Sequence, residues 1–430
     1  MIKHHLSRAM CVMKISQTRS FGNTAREKST VCRTFRALQH RQFRRLWVGL
    51  GISAIGTWMQ IVALSLLVLR MMRGSAFALG SVSLVQASAF FLFALLGGGL
   101  ADRIEKRKLL IFTQSASAGL SVVLGVLTWA GVIQLWMILV ISFLNGTVLS
   151  FDQPARNALI PQLVPDTDLV NATSLQTTLF NGVSVIGPVL GGLAVRLMGF
   201  AGNFFLNAAS FVAVLTALYA MRLPAQPVNS RSILTGIREA LATVRRDAVL
   251  PWVLTGYGSL LFFGPSPALM LPFYSMRVLH LGPARLGLLF SSVGLGSIVG
   301  GLIVASLKGD APKGRLYLAG ILTWVISLAS FGVSRWPWVS MVALLFLGVG
   351  QTFAATTTIT LLQTRVRNQM RGRVMSLNTL LLMGVRPLGD FPVGASISLI
   401  GAPATVSVSA ALVGVYGAIT FITRPSVRSA

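Results

Sequence analysis

The feature that most restricts this chain is a train of apolar runs, each about 20 residues long and nearly free of charge, recurring from residue 46 almost to the C-terminus. A run of that length lets an α-helix cross roughly 30 Å of hydrocarbon at about 1.5 Å per residue. In lipid each backbone polar group must also be bonded within the spanning structure, which a helix achieves alone. Twelve such spans can be placed, at approximately 46–69, 76–100, 109–131, 135–158, 172–195, 201–221, 250–274, 286–307, 316–334, 338–362, 376–399 and 403–422. Composition agrees, because a chain of 430 residues that is 54% apolar and 11% charged has too little polar surface for a water-exposed skin. Gly and Pro occur inside the runs, as they do where membrane helices pack closely. The expected fold class is an all-α integral membrane protein.

A net charge of +27 raises the question of a nucleic-acid partner, and its distribution answers it. With the N-terminus placed in the cytoplasm, inside segments hold 30 of the 37 Lys and Arg residues and outside loops hold 6, while Arg386 falls within span 11. Such alternation is the positive-inside rule, and one missed helix would scramble it downstream. The charge therefore orients the chain in a bacterial inner membrane with both termini cytoplasmic, and no nucleic acid is expected as a partner. Cys11 and Cys32 sit in the basic N-terminal tail on the reducing side, where a disulfide does not persist. His4, His5, His40 and His280 form no cluster that suggests a metal, and no phosphate-binding G-x-x-x-x-G-K-[ST] loop is present. Neither an enzyme nor a cofactor is expected.

The longest polar stretch after the tail divides the chain. The expected organisation is a cytoplasmic tail 1–45, a first six-helix half 46–221, a linker 222–249 containing a short amphipathic helix, a second half 250–422 and a C-terminal tail 423–430. A weak internal echo supports duplication: Ser174, Leu175, Gln176 and Gly182 recur as Ser376, Leu377, Asn378 and Gly384. Duplicated halves place a substrate site between the repeats near the bilayer midplane.

After span 2 the chain reads Gly98-Gly99-Leu100-Ala101-Asp102-Arg103-Ile104-Glu105-Lys106-Arg107. This resembles the G-x-L-A-D-R-x-G-R-K loop of the major facilitator superfamily, with Glu105 in place of the second Gly. The resemblance implies two pseudo-symmetric six-helix halves and a gating network in which Asp102 meets the start of span 11. Arg103 or Lys106, with Arg107 beside them, would then pair with an acid below span 4, where Asp152 stands close to Arg156. Span 5 carries Gly187-Pro188-Val189-Leu190-Gly191-Gly192, similar to the motif of antiporters and exporters in that superfamily. Pro188 removes a backbone donor, and the glycines offer a flat face for a neighbouring helix. The Phe151–Arg156 segment and the Arg371–Leu377 segment narrow the resemblance to a branch of siderophore and macrolide exporters.

Asp390 is the one acid expected in mid-membrane, with Arg386 four residues earlier as its anticipated ion-pair partner. Trp58, Gln60, Gln86, Asn145, Gln176, Asn181 and Gln351 are further candidates for substrate contact, each also able to join helices. The Trp336-Pro337-Trp338 cluster reads as an interfacial belt. The function expected is secondary export of a siderophore-like or drug-like small molecule by a functional monomer in contact with membrane lipids, with proton antiport as a candidate coupling. A lipid or lysolipid translocator, a solute importer and a transport-inactive sensor or scaffold are the competing readings.

Overall fold

In a computed structural model of the chain, the described residues are 36–103, 105–221, 233–307 and 312–428, and among them every element is helical. Expectations for residues 1–35 and 222–232 lie outside that range. The first long helix, Arg41–Met71, begins earlier than the hydropathy suggested, and Phe43 and Leu46 are buried in its first turns. The end of the basic tail is thus part of the folded body.

Among the described residues nine helices are long and apolar enough to cross a membrane, or ten if a bent pair is counted, against the twelve spans expected. Three local features account for the difference. Spans 5 and 6 are merged in one helical stretch, Leu169–Tyr219, whose 51 residues at about 1.5 Å each exceed two hydrocarbon thicknesses. The stretch breaks at Gly199, where φ is 72° and ψ is −176°, a conformation that favours glycine. Span 11 is the second case. It runs as Asn368–Leu380, a π-turn Leu381–Val385 and Arg386–Ile400. Pro387 stands two residues beyond the π-turn, and the carbonyl its missing backbone donor would have served, that of Met383, lies within the widened turn.

Span 7 is also divided, into Leu250–Phe263 and Pro267–Arg277, around Gly264, Pro265 and Ser266. Expectation had one continuous helix here; two prolines within three residues stop the first half and open the second. Asp247 caps the first half, accepting from Val249 N at 2.8 Å and Leu250 N at 2.9 Å.

Packing separates the helices into two groups. Arg41–Met71 lies along Leu169–Tyr219, and Lys106–Trp129 packs on both Leu135–Leu159 and Leu169–Tyr219. Beyond the linker, Lys313–Val333 packs on Pro337–Arg365 and on Ala402–Thr423. The groups meet mainly along two seams: Leu169–Tyr219 against Pro283–Ser306, and Ala76–Arg103 against Arg386–Ile400. The linker helix Ile233–Arg246 touches both Ala76–Arg103 and Asn368–Leu380.

Backbone approaches along the seams are close. A Cβ added to Gly287 would lie 2.6 Å from Val189 Cα, and one on Gly80 would lie 2.8 Å from the Asp390 carbonyl oxygen. Phe77 and Phe391 meet across the second seam at 5.3 Å between centroids, with their planes tilted by 53°. Arg277 donates to the Arg73 carbonyl at the same end of the bundle. Trp336 and Trp338 are 73% and 76% exposed, as a pair of interfacial tryptophans would be.

Candidate functional site: a charged cavity between the two helix groups

A cavity of about 440 Å³ opens where the groups face each other. Of the residues singled out from sequence, Trp58, Gln60, Gln86, Asn145, Asp152, Arg156, Arg386 and Asp390 line it. Gln176, Asn181 and Gln351 do not border it, so the structure does not bring those three to the site.

Its first wall holds a neutralised charge. Asp152 is 2% exposed and accepts from Thr113 Oγ1 at 2.9 Å and from Gln114 Nε2 at 2.6 Å. Arg156, one helical turn on, forms an ion pair with the same carboxylate. Asp152 is thus paired within its own helix, and the expected pairing with Arg103 lies outside the described side chains. Lys106 opens Lys106–Trp129 with no ion pair among the described residues, while Arg107 donates to the carbonyls of Leu218 at 2.7 Å and Tyr219 at 2.9 Å. Arg107 thereby ties span 3 to the end of span 6 within one group. The surroundings of Gly98, Asp102 and Arg103 lie outside the described side chains, although their backbone completes Ala76–Arg103.

Two polar atoms in this wall, Gln114 Oε1 and Arg156 Nε, are buried without a hydrogen-bond partner. Below them, Gln60 Oε1 accepts from Asn207 Nδ2 at 2.7 Å and from Ser121 Oγ at 2.9 Å, joining spans 1, 3 and 6. Gln114, Asn207 and Ser121 were missed by sequence reading. The signal that could have found the two amides is the one that found Gln60, an amide inside an apolar run.

The second wall is arranged differently. Asp390, 3% exposed, accepts from Ser266 N at 2.9 Å on Oδ1 and from Ser266 Oγ at 2.7 Å on Oδ2. Ser266 is itself the N-cap of Pro267–Arg277, accepting from Leu269 N at 3.2 Å. The carboxylate therefore sits at the positive end of a half-helix, where a negative charge is favoured. Arg386 makes no ion pair with Asp390 within 4.0 Å, contrary to expectation. The break in span 7 supplies what Arg386 was expected to supply, and the guanidinium borders the cavity with no carboxylate among the described residues in hydrogen-bonding reach. The signal for Ser266 was the Gly264-Pro265-Ser266-Pro267 run, a helix stop and start in mid-span.

The span 5 motif closes the edge of the site. A Cβ on Gly187 would strike the Trp58 side chain, one on Gly191 would lie 2.8 Å from Met59 Cα, and one on Gly192 would strike the Pro283 carbonyl. Pro188 presents its carbonyl to Gly287. The motif is thus a face against which spans 1 and 8 both rest.

Comparison with known proteins decides the family. The model of the transmembrane secretion effectors matches residues 32–429, nearly the full length. The chain belongs to that family, within the major facilitator superfamily. Curated relatives include the enterobactin exporter EntS of Citrobacter koseri, 26% identical over 341 residues that cover 79% of this chain and 81% of the relative. The enterobactin exporter EntS of Shigella boydii is 27% identical over 347 residues, with the same coverage. Among solved structures, a bacterial homologue of the human lysosomal transporter Spinster, inward-facing and unoccupied, superposes with a TM-score of 0.71 at 13% identity. It covers 90% of this chain and 99% of that one. An inward-facing bacterial homologue of the iron transporter ferroportin gives 0.67 at 17% identity, covering 88% and 98%. At those identities the structures support the fold alone. This transmembrane secretion effector is therefore a multi-pass membrane transporter of the major facilitator type and not an enzyme.

Proposed function

We propose that this transporter exports a small organic molecule, siderophore-like or drug-like, from the cytoplasm of a bacterium across its inner membrane. The observation that carries the reading is the cavity between the two helix groups, with charged and amide side chains on opposite walls and two seams of close backbone approach beside it. A pocket between repeats, bordered by a broken helix, suits alternating access, in which one group rocks against the other. Relatives that export enterobactin favour the outward direction and a bulky, partly polar cargo. The cavity is assembled within a single chain, which fits a functional monomer.

Energy comes from an ion gradient in this reading, and Asp390 is the proton site. Protonation at Oδ2 would turn that oxygen into a donor, so the Ser266 hydroxyl would have to reverse its bond and both contacts would lose the charge that strengthens them. The joint between span 7 and span 11 then loosens at the seam with span 2, linking proton loading to movement. Arg386 holds the cargo from the same wall. The charge distribution along the chain supports cytoplasmic termini.

The test is a comparison of small molecules in the culture medium of a deletion strain and its parent. Export predicts a compound that is lost from the medium, accumulates in the cells, and returns to the medium when the gene is restored. Identical profiles under conditions where the protein is abundant would overturn the proposal.

A further inference from the structure

Away from the central cavity, spans 9 and 12 leave a groove of about 520 Å³ on their shared outer face. Leu318, Leu322 and Val325 form one side, and Phe421 and Ile422 the other. Its floor is shallow because span 12 carries Gly414 and Gly417, where an added Cβ would lie 3.3 Å from Val325 Cγ1 and 3.0 Å from Ile321 Cγ2. The groove shares no lining residue with the central cavity.

One end of this apolar trough is cationic. Arg315, in the first turn of Lys313–Val333, lines it and has no ion pair among the described residues. Arg428 holds its guanidinium 5.0 Å from the centroid of the Phe421 ring, and its short helix Pro425–Arg428 packs on Lys313–Val333. The equivalent end of the N-terminal group is closed by its own cations. There Arg107 bonds the Leu218 and Tyr219 carbonyls and Lys108 pairs with Glu105 at 3.1 Å. Among the described residues Arg315 makes no such bond.

The dimensions point to the occupant. From Arg315 to Val325 the helix rises about 15 Å, half the roughly 30 Å hydrocarbon thickness and so the depth of one leaflet. A chain lying in the groove would end at the two arginines, at the level of the headgroups. Packing of acyl chain against leucine gives little preference among lipids, because the bilayer is equally apolar. Selectivity must come from the cationic mouth, which favours a negatively charged headgroup. We propose that this groove is a binding site for one anionic phospholipid, with an acyl chain between spans 9 and 12 and its phosphate held by Arg315 and Arg428.

The experiment reconstitutes the full chain in vesicles of equal parts phosphatidylglycerol and phosphatidylcholine, extracts it in mild detergent, and counts retained lipids by native mass spectrometry. Wild type retains one phosphatidylglycerol in preference to phosphatidylcholine. The double variant Arg315→Gln with Arg428→Gln lowers that retention by about tenfold. Ala319→Trp, which fills the groove from an exposed position and leaves both arginines in place, lowers it comparably. Single-peak elution and an unchanged melting temperature show that each variant is folded. Undiminished retention in either variant, or equal retention of the two lipids by wild type, overturns the proposal, whatever the transported molecule proves to be.

Discussion

Spans 5 and 11 occupy corresponding places in the two helix groups, and the echo between them extends beyond what sequence reading used. At the same offset, Gly187, Pro188 and Gly192 correspond to Gly389, Asp390 and Gly394. Each glycine set meets the other group, Gly192 against Pro283 and Gly394 against Ala76. The scaffold is repeated, but the chemistry placed on it is not. Where span 5 has a proline, span 11 has an acid, and span 7 breaks at Ser266 to receive it while Arg41–Met71 runs unbroken. In the N-terminal group Asp152 and Arg156 neutralise each other within one helix. In the C-terminal group the acid is held by a helix terminus, and Arg386 faces the cavity. In the proposed reading, the first wall supplies rigidity and the second supplies cargo recognition with coupling.

Substitutions can break this comparison, beginning with the largest effect. Asp152→Ala leaves the half-buried Arg156 guanidinium without its carboxylate and Thr113 and Gln114 without their acceptor, and should cost about 3 kcal/mol, read as a lowered melting temperature in detergent. A melting temperature equal to wild type would mean that the first wall does not depend on the pair. The seams are tested together by Gly192→Leu and Gly394→Leu, each forcing side-chain atoms into opposing backbone at a cost of about 1–3 kcal/mol. Both should stop transport in everted vesicles, and a variant that transports normally would show that its seam is not needed to close. Asn207→Leu removes one of two donors from Gln60 and should cost about 1 kcal/mol while leaving the pH profile of transport unchanged.

Ser266→Ala costs a similar amount, about 1 kcal/mol, but acts on the other wall. It removes the hydroxyl bond to Asp390 and keeps the backbone one, so the coupling account expects a displaced pH dependence of transport. An unshifted profile would reduce Asp390 and Ser266 to a structural joint.

Span positions, the close-packed glycine faces and the acid in mid-membrane were legible in the sequence because each rests on local composition. Partner choice was not. Asp152 and Arg156 are four residues apart on one helix and do pair, as helical spacing allows; Arg386 and Asp390 have the same spacing and do not. What separates the two cases is Ser266, 124 residues away, brought alongside by the break in span 7. The triad of Gln60, Ser121 and Asn207 was hidden for the same reason, since it draws on three helices. His40 shows the converse: as part of an expected tail it carried no assignment, yet with Arg36 it holds the buried Asp168 at the start of span 5, at 2.9 Å and 3.1 Å. The Gln176 and Asn378 counterparts, found by the echo, are both buried and have unpartnered amide atoms.

The central claim is that the C-terminal wall recognises the exported molecule through Arg386. Its most direct test is the initial rate at which everted vesicles take up the compound identified in the medium, measured for wild type, Arg386→Lys and Arg386→Gln at matched protein levels. The account predicts a partial loss for lysine, which keeps the charge without the planar fork, and a loss of about tenfold or more for glutamine, with melting temperatures unchanged. Wild-type uptake by the glutamine variant would contradict it.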